Sequence, residues 1–222
     1  MVYFMACKSP YPATQIAVYA KFLDKPDDWP FDGIPFEADP STLDLHAVEK
    51  EYLAKGRTAM CRGYRVIEDT APKKLLWPCG KRPLPDVIPA TIPAYSARLC
   101  DLIEQFEPSV HQFLPVDIYK KRDGAIEATY YWFNPCNRID SVNEHLTTYK
   151  WKLDYTGKHG FWDAREVENA KLVFSKEKVA SRHFWYDPNI LVWTGPYCSD
   201  AFAEAAFEAD FSGLSLTSRE EA

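Results

Sequence analysis

The chain has 222 residues, with 26 Lys and Arg against 32 Asp and Glu, for a net charge of −6. Its 46% hydrophobic and 15% aromatic content supplies a large core and excludes a disordered chain. The acidic balance argues against broad nucleic-acid binding, which draws on excess Lys and Arg.

The start of the chain, Met1 to Lys8, has no basic n-region, and its apolar run is too short for a signal segment. No stretch approaches the roughly 20 apolar residues of a membrane span. A cytoplasmic protein with no membrane partner is therefore expected. Six cysteines stand 54, 18, 21, 36 and 62 residues apart, too dispersed for a small disulfide scaffold, so they read as reduced thiols.

Ser41-Thr42-Leu43-Asp44 caps a predicted helix whose Leu45, Val48, Tyr52 and Leu53 recur at helical spacing before Gly56. From Pro72 to Pro93 six prolines exclude a helix or a central strand. Leu75, Leu76, Trp77, Leu84, Val87, Ile88 and Ile92 make this stretch too apolar for a linker. It reads as an extended arm packed on the body, which makes residues 1–222 a single domain.

Ser96 opens a second helix with Leu99, Leu102, Ile103 and Phe106 on one face and Pro108 as its stop. Two strands, His111 to Tyr119 and Ala128 to Phe133, flank Lys121-Arg122-Asp123-Gly124, a hairpin signal in which Asp-Gly suits positive φ. Tyr149 to Tyr155 alternates as a half-buried strand, with Tyr149, Trp151, Leu153 and Tyr155 on the apolar side. Lys171–Phe174, Ile190–Trp193 and Leu214–Thr217 are shorter strand candidates. Ser199 opens a third helix, from Asp200 to about Asp210, with Phe202, Ala205, Ala206 and Ala209 on one face. Helices set apart from a strand-rich middle predict an α+β fold, a mainly antiparallel sheet with a few flanking helices.

No sequence pattern names a reaction. There is no Cys-x-x-Cys, and the five histidines never stand three to five apart, so no metal site is indicated. Neither G-x-G-x-x-G nor a Walker pattern occurs among the nine glycines, and no cofactor is expected. A Cys-dependent hydrolase using Cys136 or Cys198 with His145 is the enzymatic alternative, because such pairs meet in space while distant in sequence. Cys198 precedes a helix N-terminus, which lowers a thiol pKa when the sulfur is exposed there. The plainer reading makes Cys136 a small turn residue and Cys198 core filler, and the chain no enzyme.

The charge is unevenly placed. Residues 22–44 hold seven acids against Lys25, and residues 199–222 hold six against Arg219, for net charges of −6 and −5. The other 175 residues carry +5. Asp200, Glu204 and Glu208 stand four apart, on one helix face, where like charges repel at about 0.2–0.5 kcal/mol per pair. Such a face suits a basic partner, whether another protein or the basic body of this chain, and a solvated helix face is the plainer reading. Asp24, Asp27, Asp28 and Asp32 surround Trp29, mixing acids with an aromatic as interfaces do. These eight residues are the candidate partner-binding positions.

A family resemblance rests on a further series of residues. Ile92-Pro93-Ala94-Tyr95-Ser96 leads into a Ser-capped helix, then Phe113-Leu114-Pro115-Val116, a hairpin, and Tyr130-Tyr131-Trp132-Phe133-Asn134. Arg138-Ile139-Asp140-Ser141-Val142-Asn143 follows. Near the end stand Val192-Trp193, Cys198-Ser199-Asp200-Ala201-Phe202 and Phe211-Ser212-Gly213-Leu214. This order resembles the immunity proteins of bacterial polymorphic toxin systems, in the class usually numbered eleven. Where that class tends to have an aspartate-aliphatic-aspartate stretch, this chain has Asn137-Arg138-Ile139-Asp140. The family-like part is about residues 84–217, and the part before about residue 70 is expected to vary with the partner. The resemblance implies a non-enzymatic bacterial cytoplasmic protein that binds and neutralises a cognate toxin or effector domain. An effector-loading adaptor is the remaining alternative, distinguished by failing to protect cells.

Overall fold

A computed structural model describes residues 1–8, 20–24, 63–78, 81–90, 92–153, 157, 160–190 and 195–222. In chain order the described strands begin with β1 (Val2–Cys7), β2 (Lys21–Phe22), β3 (Lys74–Leu76), β4 (Val87–Ile88) and β5 (Ala94–Tyr95). Helix α1 (Ala97–Phe106) precedes β6 (Gln112–Tyr119), β7 (Ile126–Asn134), β8 (Lys150–Leu153), β9 (Gly160–Asp163) and β10 (Val173–Phe174). The short α2 (Lys176–Val179) leads to β11 (Phe184–Trp185), β12 (Tyr197–Ser199), α3 (Asp200–Ala209) and β13 (Leu214–Glu221).

These strands form a five-stranded sheet in the order β10-β13-β1-β12-β11, a six-stranded sheet in the order β2-β3-β6-β7-β5-β4, and a β8-β9 ribbon. All pairs are antiparallel except β10–β13 and β3–β6. The fold is α+β and mainly antiparallel, as the sequence predicts.

The predicted hairpin is the spine of the six-stranded sheet, paired from Gln112↔Asn134 to Tyr119↔Ile126. Its alternation divides two cores. Leu114, Val116, Ile118, Tyr130 and Trp132 face one core with Leu75, Trp77 and Ile88 of the proline-rich arm. Phe113, Tyr131 and Phe133 face the other, beneath α1. The arm is extended and packed, as expected, and Trp77 and Trp132 are fully buried in it and under it. The exclusion of a central strand needs correction: β3 pairs with both β2 and β6, because Lys74–Leu76 fall between Pro72 and Pro78 and keep every N–H for the ladders. Pro115 is tolerated inside β6 because the missing N–H points to the β3 side, where pairing begins only at Asp117, whose N–H donates to the Lys73 carbonyl at 2.9 Å.

The hairpin turn departs from expectation. Gly124 N–H closes it on the Lys121 carbonyl at 3.1 Å, and neither Asp123 nor Gly124 adopts positive φ. The loop is longer than two residues, so a turn with ordinary φ values suffices.

β1 is a strand that the periodicity did not single out. It pairs with β13 along its length and with β12 over Val2–Phe4, so it lies inside the sheet. Tyr3, Met5 and Cys7 face the α1–α3 core, while Val2 and Phe4 face a third core built on Phe174, Trp185 and Tyr197. A strand covered on both faces reads as a continuous apolar run, without alternation.

The Tyr149–Tyr155 reading needs correction. Its described strand, β8, pairs only with β9 among the described residues, and the apolar side faces outward: Trp151 is 50% and Leu153 60% exposed. Lys152 lies on the more covered side, paired with Asp163 at 3.3 Å and Glu166 at 2.8 Å. An ion-pair network holds the inner face that burial of Trp151 and Leu153 was expected to hold. The helix predicted after Ser41 and the Val192-Trp193 strand end lie outside the described residues.

Candidate partner interface

Helix α3 begins where the sequence places it. Ser199 is its N-cap, its Oγ accepting the Phe202 N–H at 3.2 Å and bonded to His183 Nδ1 at 2.8 Å. Asp200 occupies the first turn, where the helix dipole favours a carboxylate. Phe202, Ala203 and Ala206 are buried, and Phe202 packs on Phe184 and on Phe106 of α1, with centroids 4.5 and 5.6 Å apart. The chain leaves the helix through Asp210 in a left-handed conformation.

The opposite face gathers Asp200, Glu204, Phe207 and Glu208, spaced by three and four residues. Phe207 is 59% exposed and lies edge-on to Tyr3 of β1 at 6.0 Å. Partial burial, then the charge of Asp200 and its hydrogen bond, then the charge of Glu204, push the Tyr3 hydroxyl above its usual pKa. Asp200 is also 3.5 Å from the Met1 ammonium, which lies 3.2 Å from Glu221. Glu204 and Glu208 are exposed and form no ion pair among the described residues. The result is a carboxylate-rich surface with an aromatic pair at its centre.

Of the sequence candidates, Asp200, Glu204 and Glu208 come together on this face. Asp24 does not join them. It sits beside β2 at the edge of the six-stranded sheet and accepts the Lys73 N–H at 2.7 Å. Asp27, Asp28, Trp29 and Asp32 lie outside the described residues. Tyr3 and Phe207 were missed. Phe207 had a sequence signal, an aromatic off the Phe202–Ala206 stripe and between two acids, whereas Tyr3 arrives from a strand at the other end of the chain.

Burial raises both thiols considered for catalysis above the usual value. Cys198 is fully buried, and desolvation pushes its thiol well above the usual value. Cys136 is raised by burial, against the opposing charge of Arg65, and its Sγ faces the Asn134 carbonyl at 3.3 Å. His145 is exposed in the turn that Asn143 organises, and among the described residues neither sulfur is bonded to an imidazole. The described residues contain no group of three or more His, Cys, Asp or Glu placed to hold a metal ion.

Compared with known families, the chain matches the model of the immunity protein family Imm11 over residues 51–221, more than three quarters of its length. A comparison with curated proteins gave no match.

Proposed function

We propose that this chain, which belongs to the Imm11 immunity protein family, binds a cognate bacterial toxin and neutralises it non-enzymatically by covering its active surface. The observation that carries this reading is the outer face of α3, where Glu204 and Glu208, without an ion pair among the described residues, stand beside the exposed Phe207. A like-charged stripe costs its own helix stability. It gains a use when a basic surface docks there, since complementary charge speeds association and rejects wrong partners. Phe207 and Tyr3 supply the apolar centre that such interfaces need. The acidic stretch with Asp24, Asp27, Asp28, Trp29 and Asp32 is a second contact in this reading, and the setting is the bacterial cytoplasm. No described helix is long and apolar enough to cross a membrane.

The test is stopped-flow association with the toxin domain encoded beside the gene, at low and high salt. The Glu204→Lys/Glu208→Lys variant is expected to associate about tenfold more slowly at low salt, with the gap closing at high salt. Absence of any complex with that toxin overturns the proposed function. Unchanged kinetics in a tight complex overturn the α3 face as its docking site.

A further inference from the structure

On its other flank α1 borders a cleft that lies apart from the α3 face. Helical spacing puts Arg98, Leu102 and Phe106 towards α3, and Leu99 and Ile103 into the core. Ala97, Cys100, Asp101 and Glu104 are left facing β6 and β7. Between them and the rings of Phe113 and Tyr131 lies a cleft of about 230 Å³, with no Lys, Arg or His in its lining.

Its walls have complementary properties. Asp101 is exposed at the rim, without an ion pair among the described residues. Glu104 commits one oxygen to the Ser109 N–H, at 2.7 Å, where the backbone turns at positive φ, which leaves the other oxygen for a second donor. Phe113 is held in place by stacking on Phe133 at 5.5 Å, and the pairing of β5 with β7 fixes Tyr131 opposite Tyr95. Burial first, and then the charge of Asp101, raise the Cys100 thiol above its usual pKa.

We propose that this cleft receives one arginine side chain of a partner protein, its guanidinium stacked against Phe113 and Tyr131 and paired with Asp101 and Glu104. The fit is chemical. A planar cation with several in-plane donors matches two carboxylates spaced by three residues, and its flat face matches an aromatic wall. A lysine ammonium matches the charge but not the plane, and an apolar side chain leaves both carboxylates unmatched. The inference rests on the reading that the chain works by binding a protein, but the cleft is separate from the α3 face, so each can fail alone.

A probe that needs no toxin separates them. The isotopically labelled full chain is titrated with N-acetyl-argininamide, following the amide resonances of Asp101, Glu104, Phe113 and Tyr131. Saturable shifts at these four positions are expected. The Asp101→Asn/Glu104→Gln variant is expected to bind about tenfold more weakly, the loss that two solvent-screened charge pairs together represent, with the aromatic wall left in place. The amide that replaces the Glu104 carboxylate keeps an oxygen for the Ser109 N–H, so the helix end is preserved. Glu204→Gln/Glu208→Gln on α3 should leave the titration unchanged. Equal shifts with N-acetyl-leucinamide, or undiminished binding by the cleft variant, overturn the proposal. Equal binding of the lysine analogue overturns the guanidinium assignment.

Discussion

Asp86 and Ser212, 126 residues apart, hold each other through reciprocal hydrogen bonds. The Ser212 N–H and hydroxyl donate to Asp86 Oδ2 at 2.9 and 2.8 Å, and the Asp86 N–H returns a bond to Ser212 Oγ at 2.9 Å. Oδ1 accepts from Ser96, the α1 cap, at 2.9 Å, and Arg98 reaches both oxygens. One carboxylate thus ties the proline-rich arm to the start of α1 and to the turn after α3. The turn approaches so closely that a Cβ on Gly213, already at φ +80°, would press on the Val87 carbonyl.

Burial alone would raise the Asp86 pKa, but Arg98, Ser212 and Ser96 outweigh it and lower it to about 2. A depressed carboxylate contributes stability that is complete above its unfolded value and fades as pH falls towards about 2. Asp86→Asn is expected to cost about 1–2 kcal/mol at pH 7, after discounting for partial exposure. Urea midpoints for the two proteins should converge on acidification below about pH 4. A gap that stays constant down to that range would show that the charge contributes nothing.

Glu107 is a denser junction. It accepts from His111 Nε2 at 2.6 Å, from Asn137 Nδ2 at 3.1 Å on both oxygens, and from the His183 and Phe184 N–H groups at 3.0 and 3.1 Å. The Cys136 N–H donates to His111 Nδ1 at 3.0 Å, so the ring proton sits on Nε2 and points at the carboxylate. Burial raises the Glu107 pKa, but these donors outweigh it and lower it. Glu107→Gln would turn an amide NH₂ into this ring of donors. A loss of about 2–4 kcal/mol is expected, measured by chemical denaturation. Glu104→Gln, one turn earlier and with one backbone partner, should cost under about 1 kcal/mol.

Asp187 behaves in the opposite sense. Burial raises its pKa to about 6, despite hydrogen bonds from the Ser141 N–H and hydroxyl at 2.7 Å and the Asn189 N–H at 2.8 Å. The folded chain therefore keeps this proton between about pH 4 and 6, where an unfolded Asp has lost it. Stability falls as pH rises through that window, by about 3 kcal/mol. Asp187→Asn removes the titration, so the advantage of the native chain over the variant should shrink from pH 4 to pH 7. A difference that is flat across this range would refute it.

How much of this was legible depends on whether the signal was local. Ser96 and Ser199 announce α1 and α3 because a cap and its helix are neighbours in sequence, and the β6–β7 alternation survives because each face meets a different core. β1 was hidden because Tyr3 and Phe4 are both covered, leaving no period to see. The acids of α3 were visible at their spacing, but their aromatic centre needed Tyr3, which only the β1–β12 pairing brings alongside. The cleft on α1 was invisible for the same reason, since Phe113 and Tyr131 complete it from a different element. Alternation in β8 showed two faces correctly but not which one turns inward.

That reversed ribbon makes its own prediction. Trp151 lies edge-on to Trp162 at 5.1 Å, and its indole covers Gly160, where a Cβ would fall inside the ring. Gly160 is not at positive φ, so alanine is excluded by the indole and not by the backbone. Gly160→Ala should therefore destabilise by about 1–2 kcal/mol, less than a buried clash because a half-exposed ring can swing into solvent. Trp151→Ala alone should cost about 1 kcal/mol, since half its surface is already wet. In the double variant the alanine meets no ring, so Gly160→Ala should become nearly neutral, a coupling of about 1 kcal/mol or more. Thermal or urea melts of the four proteins measure it. Additive losses would mean that the indole does not rest on Gly160 in solution.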